Sequence, residues 1–378
     1  MTKRVLIIGG YGNFGQFIAK MLARETNIQL IISGRNGEKA KTLAARLDAK
    51  NIPETAILDI DRGLEQSLAA IRPDIVVHTS GPYQGQSYMV AQACISQGCH
   101  YVDLADARDF VAGIGELDEA AKGKGVLICA GASSVPCLTS AIVDACIDEF
   151  DRLETLNYGI ATAQLTNRGL ATTSAVLSYA GKPFRTLIDG QMKNIYGWLD
   201  LRWHKFWGLN LRPLGNCDIP DLEIFPKRYP SLKTVRFQAG LELKVLHLIL
   251  WILSGLSRLR LFPPLQPLAP VLLRISYLFD AFGKDDSGFY MMLKGMDKNG
   301  QSKEINFDLV ARHGDGLYIP SMPAILMVRK LANNEITETG ACPCVGFITL
   351  ADYLMGLREF DIKWKFGGVT SKVSKTVK

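Results

Sequence analysis

The sequence predicts an α/β chain in which a doubly wound parallel sheet precedes a second, α+β domain with a mixed or antiparallel sheet. Two observations predict it. Over residues 1–135 short apolar runs alternate with helical patterns, the signature of parallel βαβ units. After Pro136 the alternation gives way to an irregular stretch and then to a hairpin-like pair of runs.

Strands are expected at 4–8, 28–32, 55–59, 74–79, 100–103 and 126–130. Helical patterns between them include 89–97 and 115–122. Leu138 to Phe150 reads as a helix, and 153–237 mixes isolated Gly and Pro with short apolar runs. Two strand-like runs, 288–296 and 303–312, flank Lys298-Asn299-Gly300, and Asn-Gly in that setting marks a tight hairpin. Residues 320–332 and 347–357 have helical periodicity. The expected division is 1–135, 136–345 and 346–378, the last a helix and basic tail packing back on the first domain. The tail itself, 372–378, reads as a frayed terminus.

The 378 residues imply two domains on a length prior, and a net charge of +6 spread along the chain gives no nucleic-acid footprint. The eight cysteines are scattered, with no C-x-x-C, and the five histidines are equally dispersed, so no metal site is expected. With no signal peptide before the first strand, a reduced, cytoplasmic protein is expected.

The most informative residues are Gly10, Tyr11, Gly12, Asn13, Phe14 and Gly15. They follow the apolar run Val5–Ile8 and precede a helical pattern through Ile18, Met21 and Leu22. Strand, G-x-G-x-x-G turn and helix is the context of the Rossmann dinucleotide fingerprint. Gly10 is expected to permit the tight turn, Gly12 the approach of a pyrophosphate, and Gly15 close helix–strand packing. The helix start then offers N–H groups and a partial positive charge to the phosphates.

The second informative place ends the next strand: Ser33, Gly34, Arg35. An NAD site generally has an acidic residue here for the ribose 2′-hydroxyl. A guanidinium and a hydroxyl instead suit a 2′-phosphate, so NADP(H) is preferred, with NAD(H) as the alternative. Asp59, ending the third strand, is a candidate for the adenine edge or a cap of the next turn.

Residues 245–282 stand apart. Val245 to Leu256 is strongly apolar, Arg258 and Arg260 follow, Phe262-Pro263-Pro264 breaks the run, and Val271 to Phe282 is a second apolar stretch around Arg274. Neither reaches the ~18–20 apolar residues of a spanning helix. Three readings stay open: buried core or dimer interface, an interfacial hairpin touching a membrane or lipid-like substrate, and a lid.

Four blocks in order resemble the saccharopine dehydrogenase-like (saccharopine reductase) oxidoreductase family: Gly9 to Gly15; Ser80-Gly81-Pro82-Tyr83; Gly98-Cys99-His100-Tyr101-Val102-Asp103; and Glu116 to Ala121 leading to Gly131-Ala132-Ser133-Ser134-Val135-Pro136. The likeness covers residues 1–145, with an echo at Ala311-Arg312-His313-Gly314. It implies a Rossmann domain for NAD(P)H, a second domain completing the cleft, return of the chain to the Rossmann side near its end, and a homodimer. The block 131–136 departs from the lysine-pathway enzyme's pattern, which puts saccharopine as substrate in doubt.

Ligands of open α/β sheets bind beyond the carboxyl ends of the strands. There, Ser80, Gly81 and Pro82 are expected to fix the backbone beside the nicotinamide ribose. Tyr83 is a candidate to hydrogen-bond a substrate carbonyl or stack on the nicotinamide, with Gln84 and Gln86 holding polar substrate groups. Asp103 and Asp106 follow the fifth strand and either orient a proton donor or cap the next helix. Ser133 and Ser134 are candidates for the carboxamide, and His313 is a candidate acid. The Tyr-x-x-x-Lys spacings Tyr229…Lys233, interrupted by Pro230, and Tyr290…Lys294, in a strand-like run, do not suit a short-chain dehydrogenase. The expected function is NADP(H)-dependent hydride transfer to a C–N, C=O or activated C=C centre of a small or lipid-like molecule. An enoyl- or polyketide-type reductase and a non-catalytic NADP(H)-binding protein are the alternatives.

Overall fold

The structure is a computed structural model describing residues 2–369; the basic tail at 372–378 lies outside the described residues. In chain order the strands are β1 (Lys3–Ile8), β2 (Ile28–Gly34), β3 (Glu54–Ile57), β4 (Ile75–His78), β5 (His100–Asp103), β6 (Leu127–Ala130), β7 (Arg152–Thr162), β8 (Pro183–Ile188), β9 (Gln191–Tyr196), β10 (Arg202–Lys205), β11 (Leu211–Asn216), β12 (Thr234–Leu241), β13 (Ser287–Met296), β14 (Ser302–Ala311), β15 (Gly340–Pro343) and β16 (Ile362–Gly367).

The chain divides into two units, Met1–Leu138 with Leu317–Ile348, and Thr139–Gly316 with the residues from Thr349 on. The first holds a seven-stranded, wholly parallel sheet in the order β15-β6-β5-β4-β1-β2-β3. Val5 to Ile8, Leu30 to Ile32, Ile75 to Val77 and Leu127 to Ala130 are almost completely buried. Helices cover both faces, which is why these strands are continuous apolar runs rather than alternating ones.

The expected boundaries change at two places. Residues 317–345, assigned by sequence to the second domain, belong with 346–348 to the first unit. The helix Tyr318–Ala332 sets Tyr318 edge-on against Phe17 at 4.5 Å and pairs Arg329 with Glu25 at 2.8 Å, and β15 extends the sheet beside β6. Conversely, the helix Leu350–Leu357 and β16 belong to the second unit, β16 pairing antiparallel with β14. The returning segment is therefore 317–348, and of the expected segment 346–378 the described residues from Thr349 on belong to the second unit.

The second unit carries a mixed sheet, β10-β11-β12-β7-β13-β14-β16, in which only the β12–β7 pair is parallel. The expected hairpin is β13–β14. Its turn closes with Asp297 N–H donating to the Gln301 carbonyl at 2.8 Å, and Gly300 takes the left-handed conformation at φ +73°.

The apolar stretch forms two helices, Lys244–Arg258 and Ala269–Tyr277. The buried-core reading is corrected for their outer faces. Val245, Ile249, Ile252, Val271, Ile275 and Leu278 are exposed, whereas His247 and Ser254 are buried. Among the described residues no helix is long and apolar enough to cross a membrane.

Candidate active site

The strand order of the parallel sheet reverses between β1 and β4, and there the loops after the two strands meet. Gly9 adopts φ +78°, and a Cβ on it would lie 2.6 Å from Ser80 Oγ and 2.8 Å from Thr79 Oγ1. Gly9, and not Gly10, is thus the residue that makes the tight turn. Gly10 is small for a different reason: its Cβ would meet Ile32 Cγ2 at 2.9 Å. A Cβ on Gly15 would sit 2.4 Å from the Gly9 carbonyl oxygen, so the helix Gly15–Leu22 closes on the turn backbone to backbone. The turn is tied by Gly12 N–H to the Gly9 carbonyl, 2.8 Å, and Phe14 at the helix start accepts from Ile18 N–H, 3.2 Å. The first-turn N–H groups of Gln16 and Phe17 are also held by the turn, donating to the Gly12 and Phe14 carbonyls at 3.1 Å each.

Both Gly9 N–H and Gly10 N–H donate to the Ser33 carbonyl, at 3.0 and 2.9 Å. This fastens the glycine turn to β2. The Ser33 hydroxyl donates to the Ile7 carbonyl at 3.0 Å and the residue is fully buried. Ser33 is therefore a structural tie and is not turned toward a 2′-phosphate, contrary to the sequence expectation. The Tyr11 ring lies over Gly34, where a Cβ would meet the ring at 2.6 Å, and its hydroxyl accepts the Asn36 N–H at 2.8 Å. Asn36 in turn caps the next helix, Oδ1 accepting from Lys39 N–H. Between them Arg35 is exposed and makes no ion pair among the described residues. Asp59 follows the turn-capping alternative, accepting from Asp61 N–H at 3.3 Å.

The loop after β4 is equally tied. Thr79 N–H and Oγ1 donate to the Ile8 carbonyl at 3.0 and 2.9 Å. Gly81-Pro82 is a cis peptide, and the Gln86 amide nitrogen donates to both the Ser80 and Pro82 carbonyls at 2.8 Å. Gln86 thus shapes the loop instead of waiting for substrate, and Gln84 reaches Asp106 at 3.3 Å. Tyr83 departs further from expectation. It is buried against His78 and Phe110, its hydroxyl donates to the His78 carbonyl at 2.6 Å, and burial holds the phenol well above its usual pKa. A phenol so engaged is not a ready proton donor.

Asp103 is fully buried at the end of β5. One carboxylate oxygen accepts Ala105 N–H at 2.9 Å and Gly131 N–H at 2.7 Å, while its carbonyl accepts Ala132 N–H at 2.7 Å. It joins the loops after β5 and β6 and does not cap the next helix, Arg108–Gly113, whose N-cap is Ala107. Burial pushes its pKa up to about 7 against the pull of those N–H groups. The neighbouring His78 is buried too. Its Nδ1 is 3.0 Å from the Tyr101 hydroxyl, and burial lowers its pKa to about 4, so it is a neutral core histidine. Ser133 is buried, its N–H on the Gly131 carbonyl at 2.7 Å.

His313 lies in the second unit, in a turn at φ +53°, 78% exposed, with Nδ1 2.7 Å from Asp361. It is a surface turn residue. The structure therefore gathers Gly9 to Gly15, Gly34, Arg35 and Ser80 to Pro82 at one switch point, and turns Ser33, Tyr83 and Asp103 inward beneath it. Sequence reasoning passed over Thr79 and gave Gly9 no separate role; a hydroxyl ending a buried apolar strand was the available signal for the first.

Residues 5–129 match the family model described as the saccharopine dehydrogenase NADP binding domain. Over 138 residues the chain is 27% identical to the trans-acting enoyl reductase of Mycobacterium leprae, a match covering 35% of this chain and 33% of that protein. It thus spans about a third of the length of the curated relative it matches. Among solved structures, apo saccharopine dehydrogenase (L-Glu forming) from Saccharomyces cerevisiae superposes with a TM-score of 0.72 at 14% identity, covering 97% of this chain and all of that one. Residues 5–129 thus match a saccharopine dehydrogenase NADP binding domain, and the fold of the chain is similar to that of saccharopine dehydrogenase.

Proposed function

We propose that the chain is an NADP(H)-dependent oxidoreductase that transfers a hydride to or from a C–N, C=O or activated C=C centre of a small or lipid-like molecule. The observation that carries the cofactor preference is Arg35: exposed, directly after Gly34, and without the acidic residue that an NAD site has at the end of its second strand. A guanidinium binds a phosphate bidentately, whereas a carboxylate there would repel it. Gly9 to Gly15 would hold the pyrophosphate, and the Ser80-Gly81-Pro82 loop would flank the nicotinamide ribose.

The nicotinamide supplies the hydride when bound, and the chain's own residues bind and orient. Tyr83 and Asp103 are already engaged with backbone groups. That favours an activated C=C as acceptor, because hydride addition there leaves a stabilised anion that solvent can protonate, with less demand for a built-in acid. The partial likeness to a trans-acting enoyl reductase supports the same reading.

The test is a calorimetric titration of NADPH and NADH into the wild type and Arg35→Ala. The wild type should bind NADPH more tightly than NADH, and Arg35→Ala should remove about ten- to hundredfold of NADPH affinity, the worth of one charged hydrogen-bonded contact, while leaving NADH unchanged. Equal affinity for both nucleotides in the wild type overturns the NADP(H) preference. Absence of binding by either overturns the oxidoreductase reading. Tight binding with no turnover on enoyl, imine or carbonyl substrates points to the non-catalytic alternative.

A further inference from the structure

The helix Lys244–Arg258 is turned the opposite way to an ordinary surface helix. Such helices bury an apolar stripe and expose polar residues. Here Val245, Ile249, Ile252 and Leu259 recur at spacings of four, three and seven, which is one helical face, and they are 57%, 45%, 51% and 66% exposed. The inward face holds His247, Leu250 and Ser254, two of them polar.

The rotation is locked. The His247 ring packs edge-on against Trp198 at 5.8 Å and its Nδ1 accepts Leu241 N–H at 3.4 Å. Ser254 sits against Gly181, whose Cβ would lie 2.3 Å from the Ser254 carbonyl oxygen. The next helix, Ala269–Tyr277, repeats the pattern with Val271, Ile275 and, just beyond it, Leu278 outward. Leu261 and Phe282 extend it, at 72% and 76% exposed, and Trp251 and Tyr277 are also exposed. Exposed apolar surface of this kind marks a binding face.

Charge identifies the partner. Residues 244–279 contain four cations, Lys244, Arg258, Arg260 and Arg274, and no acidic residue. The two carboxylates that adjoin the segment are already paired, Glu242 with Arg212 and Asp280 with Arg168, and Asp285 and Asp286 lie beyond Phe282. A two-fold contact with a second copy would set this patch against itself, cation against cation, with no carboxylate within 244–279 to answer them. An anionic lipid surface answers both features: the apolar stripes enter the acyl boundary, Arg260 and Arg274 meet the headgroups with Lys244 and Arg258 adding charge from seats over Trp203 and Tyr196, and Trp and Tyr are suited to the interface.

We propose that the helical hairpin 244–282 is a docking surface for an anionic bilayer, on which the protein lies without spanning it. The test is flotation of the full chain with vesicles of phosphatidylcholine alone and with about 30% phosphatidylglycerol, at low and high salt. The wild type should float with the anionic vesicles and be partly released by salt. The double substitution Ile249→Asp/Ile252→Asp should lower the bound fraction about tenfold or more by placing charge in the apolar face. Arg260→Glu/Arg274→Glu should remove the preference for phosphatidylglycerol. Met355→Asp, also at an exposed apolar residue of the second unit, should change neither. An unchanged urea midpoint in each variant shows that the fold is kept. A wild type that stays unbound to anionic vesicles overturns the proposal, as does binding unaffected by the isoleucine pair. A dimer that the isoleucine pair dissociates, without vesicle binding, assigns the face to a second copy instead.

Discussion

The Tyr11 hydroxyl accepts the Asn36 N–H at 2.8 Å while its ring lies across Gly34, so one side chain from the glycine turn spans to the loop that carries Arg35. The two loops that would hold a pyrophosphate and a 2′-phosphate are thereby a single rigid piece. Gly34→Ala puts a methyl 2.6 Å from the ring and forces Tyr11 aside. It should cost about 1–3 kcal/mol in urea unfolding, the usual range for overpacking, and lower NADPH affinity. In the double variant with Tyr11→Ala the clash is gone, so the stability loss should be smaller than the sum of the two single losses. Simple additivity would contradict the contact.

Gly15→Ala should be the most damaging substitution in the glycine turn. Its methyl meets backbone, Gly9 O at 2.4 Å and Gly10 Cα at 2.8 Å, which cannot swing away as a side chain does. The corresponding contact at Gly12 is 3.0 Å, to Gly9 O alone. Urea midpoints should rank wild type, Gly12→Ala, Gly15→Ala in falling order. The reverse order for the two variants would mean that the helix does not close on the turn in this way.

Asp103 makes stability depend on pH in a definite direction. Its folded pKa, about 7, lies above the ordinary value of about 3.9, so the fold favours the protonated carboxyl. The stability it contributes is fully present below about pH 4 and is lost as pH rises through 7. His78 acts with the opposite sign. Burial lowers it to about 4, so its contribution is present above about pH 6.5 and is lost as pH falls through 4. Asp103→Asn keeps an oxygen for the Ala105 and Gly131 N–H groups and removes only the carboxyl titration. Relative to the wild type it should gain up to a few kcal/mol between about pH 4 and 7 in urea unfolding, then run parallel above. A difference that does not vary with pH would mean that Asp103 is not held protonated by the fold.

The parallel sheet was legible because the central residues of β1, β2, β4 and β6 are buried, and such strands are written as largely apolar runs. The central strand of the second sheet, β7, was not: Leu156, Tyr158 and Ile160 alternate with Asn157 and Gly159, whose space is set by Gln238 and Tyr290 of neighbouring strands. Nor was β15, a Gly-Ala-Cys-Pro segment whose strand conformation comes from pairing with β6. At the switch point the backbone features were readable, since glycines and Arg35 act through what they lack or carry. The directions of Ser33, Tyr83 and Asp103 were not. Each is a polar residue at a strand end, and whether its polar atoms face a ligand or a neighbouring carbonyl or amide is decided by contacts with residues 5 to 28 positions away.

Tyr83 separates the structural role from the catalytic one most sharply. Its hydroxyl is the donor to the His78 carbonyl at 2.6 Å inside a buried aromatic cluster with His78 and Phe110. Tyr83→Phe keeps the ring packing and leaves that carbonyl without this donor, a loss of about 1–3 kcal/mol for a buried acceptor. The variant should therefore unfold at lower urea while binding NADPH as the wild type does. Once a substrate is in hand, its kcat should fall by less than about tenfold, against the 10²–10⁴-fold that a general acid contributes. A variant as stable as the wild type but inactive would reverse the assignment, placing the phenol at the reacting atoms and the His78 carbonyl in other company.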